Sequence, residues 1–463
     1  MTPILKPYPQ YKVSDIEWLG YVPDHWSVTR LKYSASINDE TLVETTDPGF
    51  ELCYVDIGGV DPIGGVVAVE DMLFENAPSR ARRVVHDGDT IVSTVRTYLR
   101  AIAPIRDTAS NTIVSTGFAV IRPRRVSPGY MSYALREQGL VEAIVAHSVG
   151  VSYPAVNASD IGTLPIPLPP VDEQRAIVEF LDRKTAKIDT LMAKKRTLIE
   201  RLKEKRIALI SRTVTRGLPP DAARAAGLNP YPKLKPSGIE WLGDVPEHWN
   251  VKAIKWESAV LRGASPRPID NDIYFDDEGE YAWVRIADVS AAGMYLYETT
   301  QRLSELGQSL SVPLQPGTLF LSIAGSVGKS CITAIKCCIH DGFVYFPFWH
   351  GETRFLYYLF ASGEPYKGLG KLGTQLNLNT DTIGSIIAGF PDVIEQRTIA
   401  DFLDRETAKI DQMVAKVETA IERLQEYRTA LITAAVTGKI DVRESVPHHR
   451  SRAPTDKLQR KQV

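Results

Sequence analysis

The sequence lacks the features of membrane proteins and of disulfide-rich proteins. Its 463 residues include only four cysteines, Cys53, Cys331, Cys337 and Cys338. None lies in a C-x-x-C pair beside clustered histidines, which excludes a structural zinc site. No apolar run approaches the roughly 18 residues of a membrane span, and the proline-rich first residues contain no apolar signal segment. We therefore expect a cytoplasmic protein with no membrane contact.

An excess of charge of one sign is also missing. The formal net charge is −2 at pH 7, with 24% charged and 44% hydrophobic residues. This is the composition of a globular protein, and the chain is long enough for two or three domains with their own cores. A near-neutral chain does not favour nucleic acid as a partner, although local basic patches are compatible with it.

What the sequence does contain is a duplication. Residues 16–26, IEWLGYVPDHW, recur at 239–249 as IEWLGDVPEHW. A longer pair follows, because EQRAIVEFLDRKTAKID begins at Glu173 and EQRTIADFLDRETAKID begins at Glu395. The offsets between the copies are 223 and 222 residues. We conclude that the chain consists of two related halves.

The segments between the repeats, 34–166 and 257–388, differ strongly. Short β-branched runs alternate with turns in both and predict α/β domains. The remaining similarity is limited to three pairs of short echoes: 54–57 with 283–286, 88–91 with 317–320, and Asn157, Ile161 and Gly162 with Asn379, Ile383 and Gly384. Similar frames with divergent inserts imply two modules that perform the same task on different targets.

No complete catalytic or metal-binding set of residues is found. Residues 229–231, Asn-Pro-Tyr, resemble part of an adenine-methylase motif, but the repeated copy at 6–8 is Lys-Pro-Tyr and lacks the amide that would hold an adenine amine. His25 and His248 each precede a tryptophan at equivalent positions, which favours a structural role. We predict no catalytic residues and no metal site in this chain.

One segment resembles a phosphate-binding loop without completing it. Residues 323–330, IAGSVGKS, nearly match G-x-x-x-x-G-K-[ST]. Ile323 replaces the first glycine, and the following CITAIKCCI predicts a strand instead of the helix that such a loop needs. We predict a strand–turn–strand, and contact of its amides and Lys329 with a DNA phosphate is an alternative.

Each long repeat predicts a helix of about 40 residues, or roughly 60 Å. The stretch from Glu173 to Val214 has no proline or glycine, and its apolar residues alternate three and four apart, as in a coiled coil. Since both copies lie in one chain, we predict an antiparallel intramolecular pair, with a coiled coil between chains as the alternative. The predicted seam is Ile177, Leu181, Ile188, Leu191, Leu198, Leu202, Ile399, Leu403, Ile410, Met413, Leu424 and Leu431.

Two variable domains between duplicated EQ-x-x-I-x-x-FLD-x-x-T-x-x-ID helices resemble the specificity (S) subunits of Type I restriction–modification enzymes. The IEWLG-x-VP-x-HW signature is similar to the same family. The resemblance implies a mixed α/β fold with two target recognition domains, separated by two long helices in an antiparallel intramolecular coiled coil with pseudo-two-fold symmetry. The predicted boundaries are 1–170 and 218–392 for the domains with their frame segments, 171–217 and 393–440 for the helices, and 441–463 for a disordered basic tail.

The resemblance also implies a function. Each variable domain reads one half of an asymmetric split site in double-stranded DNA, and the helices fix the unread gap. Two methylation (M) subunits carry adenine-N6 methyltransferase chemistry with S-adenosylmethionine, and two restriction (R) subunits add ATP- and Mg-dependent translocation and cleavage. The specificity subunit, in the bacterial cytoplasm, binds no cofactor and catalyses nothing. A stand-alone DNA-binding regulator and a pure scaffold are the alternatives.

The first variable segment contains no lysine between Ser34 and Ile166. Arginine suits bidentate guanine contacts, and Asn and Gln suit adenine edges. The alternative explanation for the absence of lysine is a GC-rich genome that favours arginine codons. The predicted DNA contacts are Arg82, Arg83, Arg96, Tyr98, Arg100, Tyr153 and Asn157 in the first segment, and Lys329, Gln375, Asn377 and Asn379 in the second.

Overall fold

A computed structural model of the chain describes residues 6–61, 63–150, 153–367, 369 and 378–445. These residues divide into two compact units. Unit 1 comprises the described chain up to Lys194 and from Thr419 onwards, and unit 2 comprises Lys195 to Glu418. Each unit therefore contains one variable segment and a part of each long helix.

The first half of the chain folds into short strands followed by helices. The strands are β1 Tyr11–Val13, β2 Tyr21–Pro23, β3 Ser27–Arg30, β4 Ala35–Ile37, β5 Glu51–Val55, β6 Val60–Asp61, β7 Gly65–Val66, β8 Glu70–Leu73, β9 Ala81–Val84, β10 Thr90–Ser93, β11 Ile102–Pro104, β12 Thr112–Ser115, β13 Phe118–Pro123 and β14 Pro165–Leu168. The helices are α1 Pro128–Leu135, α2 Gln138–Ala146, α3 Ala158–Thr163 and α4 Val171–Arg216.

The second half also consists mainly of short strands, here with two short helices between them. Its strands are β15 Leu234–Pro236, β16 Asp244–Pro246, β17 Asn250–Ala253, β18 Leu261–Arg262, β19 Tyr281–Val284, β20 Tyr295–Leu296, β21 Gln301–Leu303, β22 Val312–Leu314, β23 Leu319–Ser322, β24 Ser330–Thr333, β25 Cys337–Ile339, β26 Phe343–Tyr345 and β27 Ile387–Phe390. Its helices are α5 Pro220–Ala225, α6 Ile286–Ala291, α7 Glu305–Ser309, α8 Thr353–Ala361, α9 Thr380–Ser385 and α10 Val393–Val436.

The two variable segments fold with the same strand order despite their different sequences. One sheet is β11-β10-β13-β4 in unit 1 and β24-β23-β26-β18, extended by β20, in unit 2. The other is β8-β5-β12-β9 in unit 1 and β21-β19-β25-β22 in unit 2. The pairs β5–β12 and β19–β25 are both parallel. The central strands β10 and β23 are buried along their whole length, including the polar residues Thr90, Ser93 and Ser322. The mixed α/β fold is confirmed.

The repeated Glu and His-Trp pairs meet in space. In unit 1 the Glu173 carboxylate accepts hydrogen bonds from Trp26 Nε1 at 3.0 Å and Tyr8 Oη at 3.1 Å, and lies 2.6 Å from His25 Nε2. In unit 2 Glu395 accepts a bond from the Trp249 indole at 3.1 Å. Both indoles are fully buried. Each carboxylate thus fastens its frame segment to the first turn of a long helix.

Other residues of the repeated helix segment hydrogen-bond each α/β domain to its long helix. Gln174 accepts a bond from the Ser127 amide and donates to the Pro169 carbonyl, both at 2.9 Å. The Tyr133 hydroxyl donates to Asp182 at 2.7 Å and lies 3.3 Å from Thr185 Oγ1. Unit 2 repeats these contacts with different partners on its domain: Gln396 with Glu352 and Pro391, and Tyr358 with Asp404 and Thr407.

The long helices run antiparallel within each unit. In unit 1 the Arg428 guanidinium donates to Asp189 at 2.9 Å, and in unit 2 the Arg206 guanidinium donates to Asp411 at 2.9 Å. Asp189 and Arg206 belong to α4, and their repeat equivalents Asp411 and Arg428 belong to α10. Each ion pair therefore takes its acid from one repeat and its base from the other, as the predicted pseudo-two-fold symmetry requires.

The predicted seam needs correction at three positions. Leu191 and Leu198 are each 44% exposed and Met413 is 42% exposed, whereas Met192 and Ile199 are buried. The apolar pattern overlooks one polar residue of the inward face. This residue is Thr185, which is buried and lies beside the Tyr133 hydroxyl. The other predicted positions are buried or half-buried: Ile177, Leu181, Ile188, Leu202, Ile399, Leu403, Ile410, Leu424 and Leu431.

The predicted end of the second helix and the start of the tail are also wrong. The helix ends at Val436, and Gly438 follows with φ +73°, a left-handed conformation that favours glycine at helix ends. The Asp441 amide donates to the Lys6 carbonyl at 2.7 Å, and Val442 is fully buried in unit 1. Residues 441–445 are therefore part of the domain, and residues 446–463 lie outside the described residues.

The two indole–carboxylate bonds give a stability prediction. We expect Trp26→Phe and Trp249→Phe each to lower the free energy of unfolding by about 1–3 kcal/mol, because a buried acceptor loses a donor. The loss should be larger for Trp249→Phe, since Tyr231, the equivalent of Tyr8, is 71% exposed and no tyrosine hydroxyl among the described residues donates to Glu395. Urea denaturation would measure both. The exposed Trp256→Phe is the control and should change stability by less than about 0.5 kcal/mol; a larger loss for Trp26→Phe would contradict the explanation.

Candidate nucleic-acid interface

The connection between β10 and β11 presents two arginines in an uncommon backbone conformation. Arg96 has φ +51° and Arg100 has φ +53°, on either side of a 3-10 turn at Thr97–Leu99. Both side chains are exposed, as is Tyr98. A residue other than glycine pays roughly 1–2 kcal/mol for a left-handed backbone. Such strain concentrates at functional sites, and two exposed arginines within five residues make this loop a candidate in unit 1.

A second segment, distant in sequence, lies beside this loop. The Arg96 amide donates to the Pro154 carbonyl and the Val156 amide to the Thr94 carbonyl, both at 2.8 Å. This pairing places the Arg96 guanidinium 5.0 Å from the centre of the Tyr153 ring. Tyr153 is itself exposed. A cation held over an exposed aromatic ring keeps its outer edge available to a ligand.

Further polar groups border the loop. Arg100 Nη1 donates to Gln138 Oε1 at 3.2 Å, and Asn157, at the start of α3, donates to Asp160 at 3.0 Å. We call the set Arg96, Tyr98, Arg100, Tyr153 and Asn157 the arginine-loop surface. Sequence reasoning missed Gln138, and it also missed Leu99 and Val149, which are exposed beside these residues in the chain. Only the fold identifies Gln138, since nothing in its sequence context links it to Arg100.

Arg82 and Arg83 belong elsewhere in the domain. They lie on β9, at the edge of the other sheet, and point to opposite faces of it. Arg82 donates to the Ala81 carbonyl at 2.9 Å and stacks 4.6 Å from the Phe74 ring. Arg83 donates to Thr41 Oγ1 at 3.0 Å, and burial lowers the pKa of its guanidinium. Both side chains are half-buried and make contacts within their own domain.

In unit 2 the equivalent connection, from β23 to β24, lies in the segment 323–330 that resembles a phosphate-binding loop. Gly325 and Gly328 adopt the left-handed conformation, with φ +65° and +84°. The Gly328 amide donates to the Ser322 carbonyl and the Lys329 amide to the Ser322 hydroxyl. Because β24 follows and pairs with β23, the predicted strand–turn–strand is confirmed. These two amides are used internally, which removes them as a cradle for phosphate.

The other predicted contacts of unit 2 are partly described. Lys329 Nζ donates to the Ser290 carbonyl at 2.7 Å. Asn379 caps α9, where its side-chain oxygen accepts bonds from the Thr382 amide at 2.8 Å and hydroxyl at 2.9 Å. Gln375 and Asn377 lie outside the described residues. Ser290 is a contact that sequence reasoning missed.

No group of three or more His, Cys, Asp or Glu side chains in the described ranges is arranged to hold a metal ion. Among the same residues, no helix is both long and apolar enough to cross a membrane.

Comparison with known proteins identifies relatives along most of the chain. A putative type I restriction enzyme MjaX specificity subunit from Methanocaldococcus jannaschii is 22% identical over 443 residues, covering 92% of this chain and 96% of that protein. The type I restriction enzyme HindI specificity subunit from Haemophilus influenzae is 20% identical over 427 residues, covering 79% of this chain and 89% of that protein.

A solved chain shares the fold. It comes from structural work on complex assembly and conformational transition of the type I R-M system, and it matches with a TM-score of 0.66 and 24% identity over 90% of this chain and 99% of its own length. The family model described as the Type I restriction modification DNA specificity domain matches residues 79–201 and 249–423. These ranges cover more than half of the sequence, and the chain therefore belongs to the Type I restriction–modification DNA specificity family.

Proposed function

We propose that this chain is the DNA-recognition subunit of a Type I restriction–modification complex and that it reads a bipartite, asymmetric site. Each unit would read one half of the site. The support is that the two units share one strand order while the loops at equivalent positions carry different residues. A common scaffold with divergent exposed loops is the arrangement expected of two readers with different targets.

The arginine-loop surface is the observation that carries this proposal. It combines two arginines in left-handed backbone conformations with exposed aromatic and amide side chains. Arginine forks match the O6 and N7 acceptors of guanine in the major groove. Arg96 and Arg100 are the residues of the set best suited to guanine, and Asn157 is the one best suited to adenine.

The partners follow from the same proposal. Two methylation subunits would supply adenine-N6 methylation with S-adenosylmethionine, and two restriction subunits would supply ATP- and Mg-dependent cleavage, with this chain holding none of these cofactors. The complex would act in the bacterial cytoplasm. Leu191 and Met413 support a repeated docking arrangement, because they are equivalent positions of the two long helices and both are exposed.

The test is the pattern of adenine methylation in the source genome with and without this gene, read by single-molecule sequencing. We expect methylation to disappear at one split motif, two short halves separated by an unread gap. Unchanged methylation in cells that express an active methylation subunit would contradict the proposal. Specific DNA binding by the chain alone, without a methylation subunit, would favour a stand-alone regulator instead.

The arginine-loop surface yields a prediction on base recognition. We expect Arg96→Ala to cost about 1–3 kcal/mol of binding at one base position of one half-site, because a bidentate contact is lost. Binding to a library of site variants by the assembled methyltransferase would measure this. Arg124→Ala is the control, since Arg124 is an exposed arginine of the same domain that pairs with Asp39. Equal weakening on every sequence would assign Arg96 to a phosphate contact.

The long helices yield a prediction on the unread gap. Deletion of residues 195–201 and 416–422 removes one heptad from each helix between the residues of the two ion pairs. Each helix shortens by about 10 Å, or about three base pairs at about 3.4 Å per base pair. We expect a correspondingly shorter gap, or loss of recognition, when the methylated motif is sequenced. A gap of unchanged length would contradict the spacer role.

A further inference from the structure

The repeated frame contains an exposed element that the packing of the domains does not require. Residues 31–33, Leu-Lys-Tyr, and 254–256, Ile-Lys-Trp, occupy equivalent positions and both form a 3-10 turn. The aromatic residue that ends each turn lies in solvent, with Tyr33 70% exposed and Trp256 74% exposed. Tyrosine and tryptophan are enriched at interfaces, because each has a large apolar ring and one polar group.

A lysine accompanies each ring in the same way. Lys32 Nζ lies 5.3 Å from the centre of the Tyr33 ring, and Lys255 Nζ lies 5.9 Å from the centre of the Trp256 ring. We call these two pairs the lysine–aromatic surfaces. Each presents a cation beside an apolar ring face, once in unit 1 and once in unit 2.

Buried neighbours hold both surfaces in place. Leu31 and Ile254, which begin the turns, are fully buried. Helix α3 packs against the first turn and α9 against the second. Ile161 on α3 and Ile383 on α9 are also fully buried. The isoleucine that recurs in the two variable segments therefore has a physical role, because it anchors the helix that packs on each turn.

Exposure alone does not explain why the aromatic residues recur. Tyr21 is 64% exposed, yet its equivalent in the second repeat is Asp244. An exposed aromatic position of the frame is thus free to change between the copies. Tyr33 and Trp256 both carry an aromatic ring, but only Tyr33 has a hydroxyl. The chemistry that the two copies share is therefore an apolar ring with a cation beside it.

We infer that the two lysine–aromatic surfaces dock the same partner twice, and that this partner is the methylation subunit, one copy on each surface. The inference rests on the proposed function, which supplies a partner present in two copies. A partner that binds both halves of the chain needs the same contact on both, and the frame provides this one.

The local chemistry favours a protein over the DNA backbone. Tryptophan and tyrosine are the residues most enriched among the energetic centres of protein interfaces. The helices that pack on the turns carry Asp160 and Asp381 in their first turns. Acidic groups on the helices beside these lysines suit a protein surface of mixed charge.

The test counts methylation subunits. The full chain would be co-expressed with the methylation subunit of its own system, and the complexes would be weighed by native mass spectrometry. We expect two copies on the natural chain, one on Tyr33→Ala or Trp256→Ala, and none on the double variant. Titration should show binding at the altered surface weakened at least about tenfold, as for removal of a central interface aromatic.

Matched variants separate this effect from misfolding. Tyr33→Trp and Trp256→Tyr exchange the two natural residues and should keep two copies. Tyr21→Ala removes an exposed aromatic that is not repeated, and it should also keep two. Because all these positions are exposed, thermal melts followed by circular dichroism should match that of the natural chain.

The outcomes distinguish this inference from the function on which it rests. If the natural chain binds two methylation subunits and the alanine variants do as well, the inference is wrong and the proposed function stands. If the variants keep both copies but bind DNA more weakly, the surfaces contact DNA and the inference is equally wrong. If the natural chain binds no methylation subunit, the proposed function fails, and the inference fails with it.

Discussion

The indole of Trp26 donates to Glu173 and that of Trp249 donates to Glu395, and these two bonds fix where each α/β domain begins on its helix. A carboxylate with so little access to water must be hydrogen-bonded, because an unpaired buried charge is far more costly than an exposed one. The donors come from a segment nearly 150 residues earlier in the chain. The frame segment that contains the tryptophan therefore contacts the start of the long helix in each unit. This contact explains why both segments recur although the sequence between them has diverged.

The duplication also determines the relative direction of the long helices. A duplicated acid and a duplicated base yield two ion pairs, Asp189 with Arg428 and Arg206 with Asp411, only if the helices run in opposite directions. A parallel arrangement would bring each residue level with its own copy and place like charges together. The exposed members of these pairs are worth little individually. Their role is to select the direction of the helices, because the ion pair in each unit forms in the antiparallel arrangement and not in the parallel one.

Sequence reasoning succeeds where a contact leaves a periodic or repeated trace. The repeats, both long helices and the strand at β24 are of this kind. It fails where the cause is not local. Leu191 and Met192 are apolar neighbours, and only the structure shows that Met192 faces inward, one heptad after the buried Thr185. Arg82 and Arg96 are the same residue type in the sequence. In the structure Arg82 is held by its own strand, whereas Arg96 is presented by backbone pairing with Pro154, 58 positions later.

The loops at the equivalent place in the two units show how one scaffold supports different targets. Both loops need left-handed residues at two points to turn back into the sheet. Unit 2 meets this requirement with Gly325 and Gly328, which adopt the conformation without strain but present no side chain. Unit 1 uses Arg96 and Arg100, which present side chains but adopt this conformation at a cost in strain. Exchange between glycine and a strained polar residue thus adds or removes a contact without altering the strands, so that recognition can diverge while the frame stays fixed.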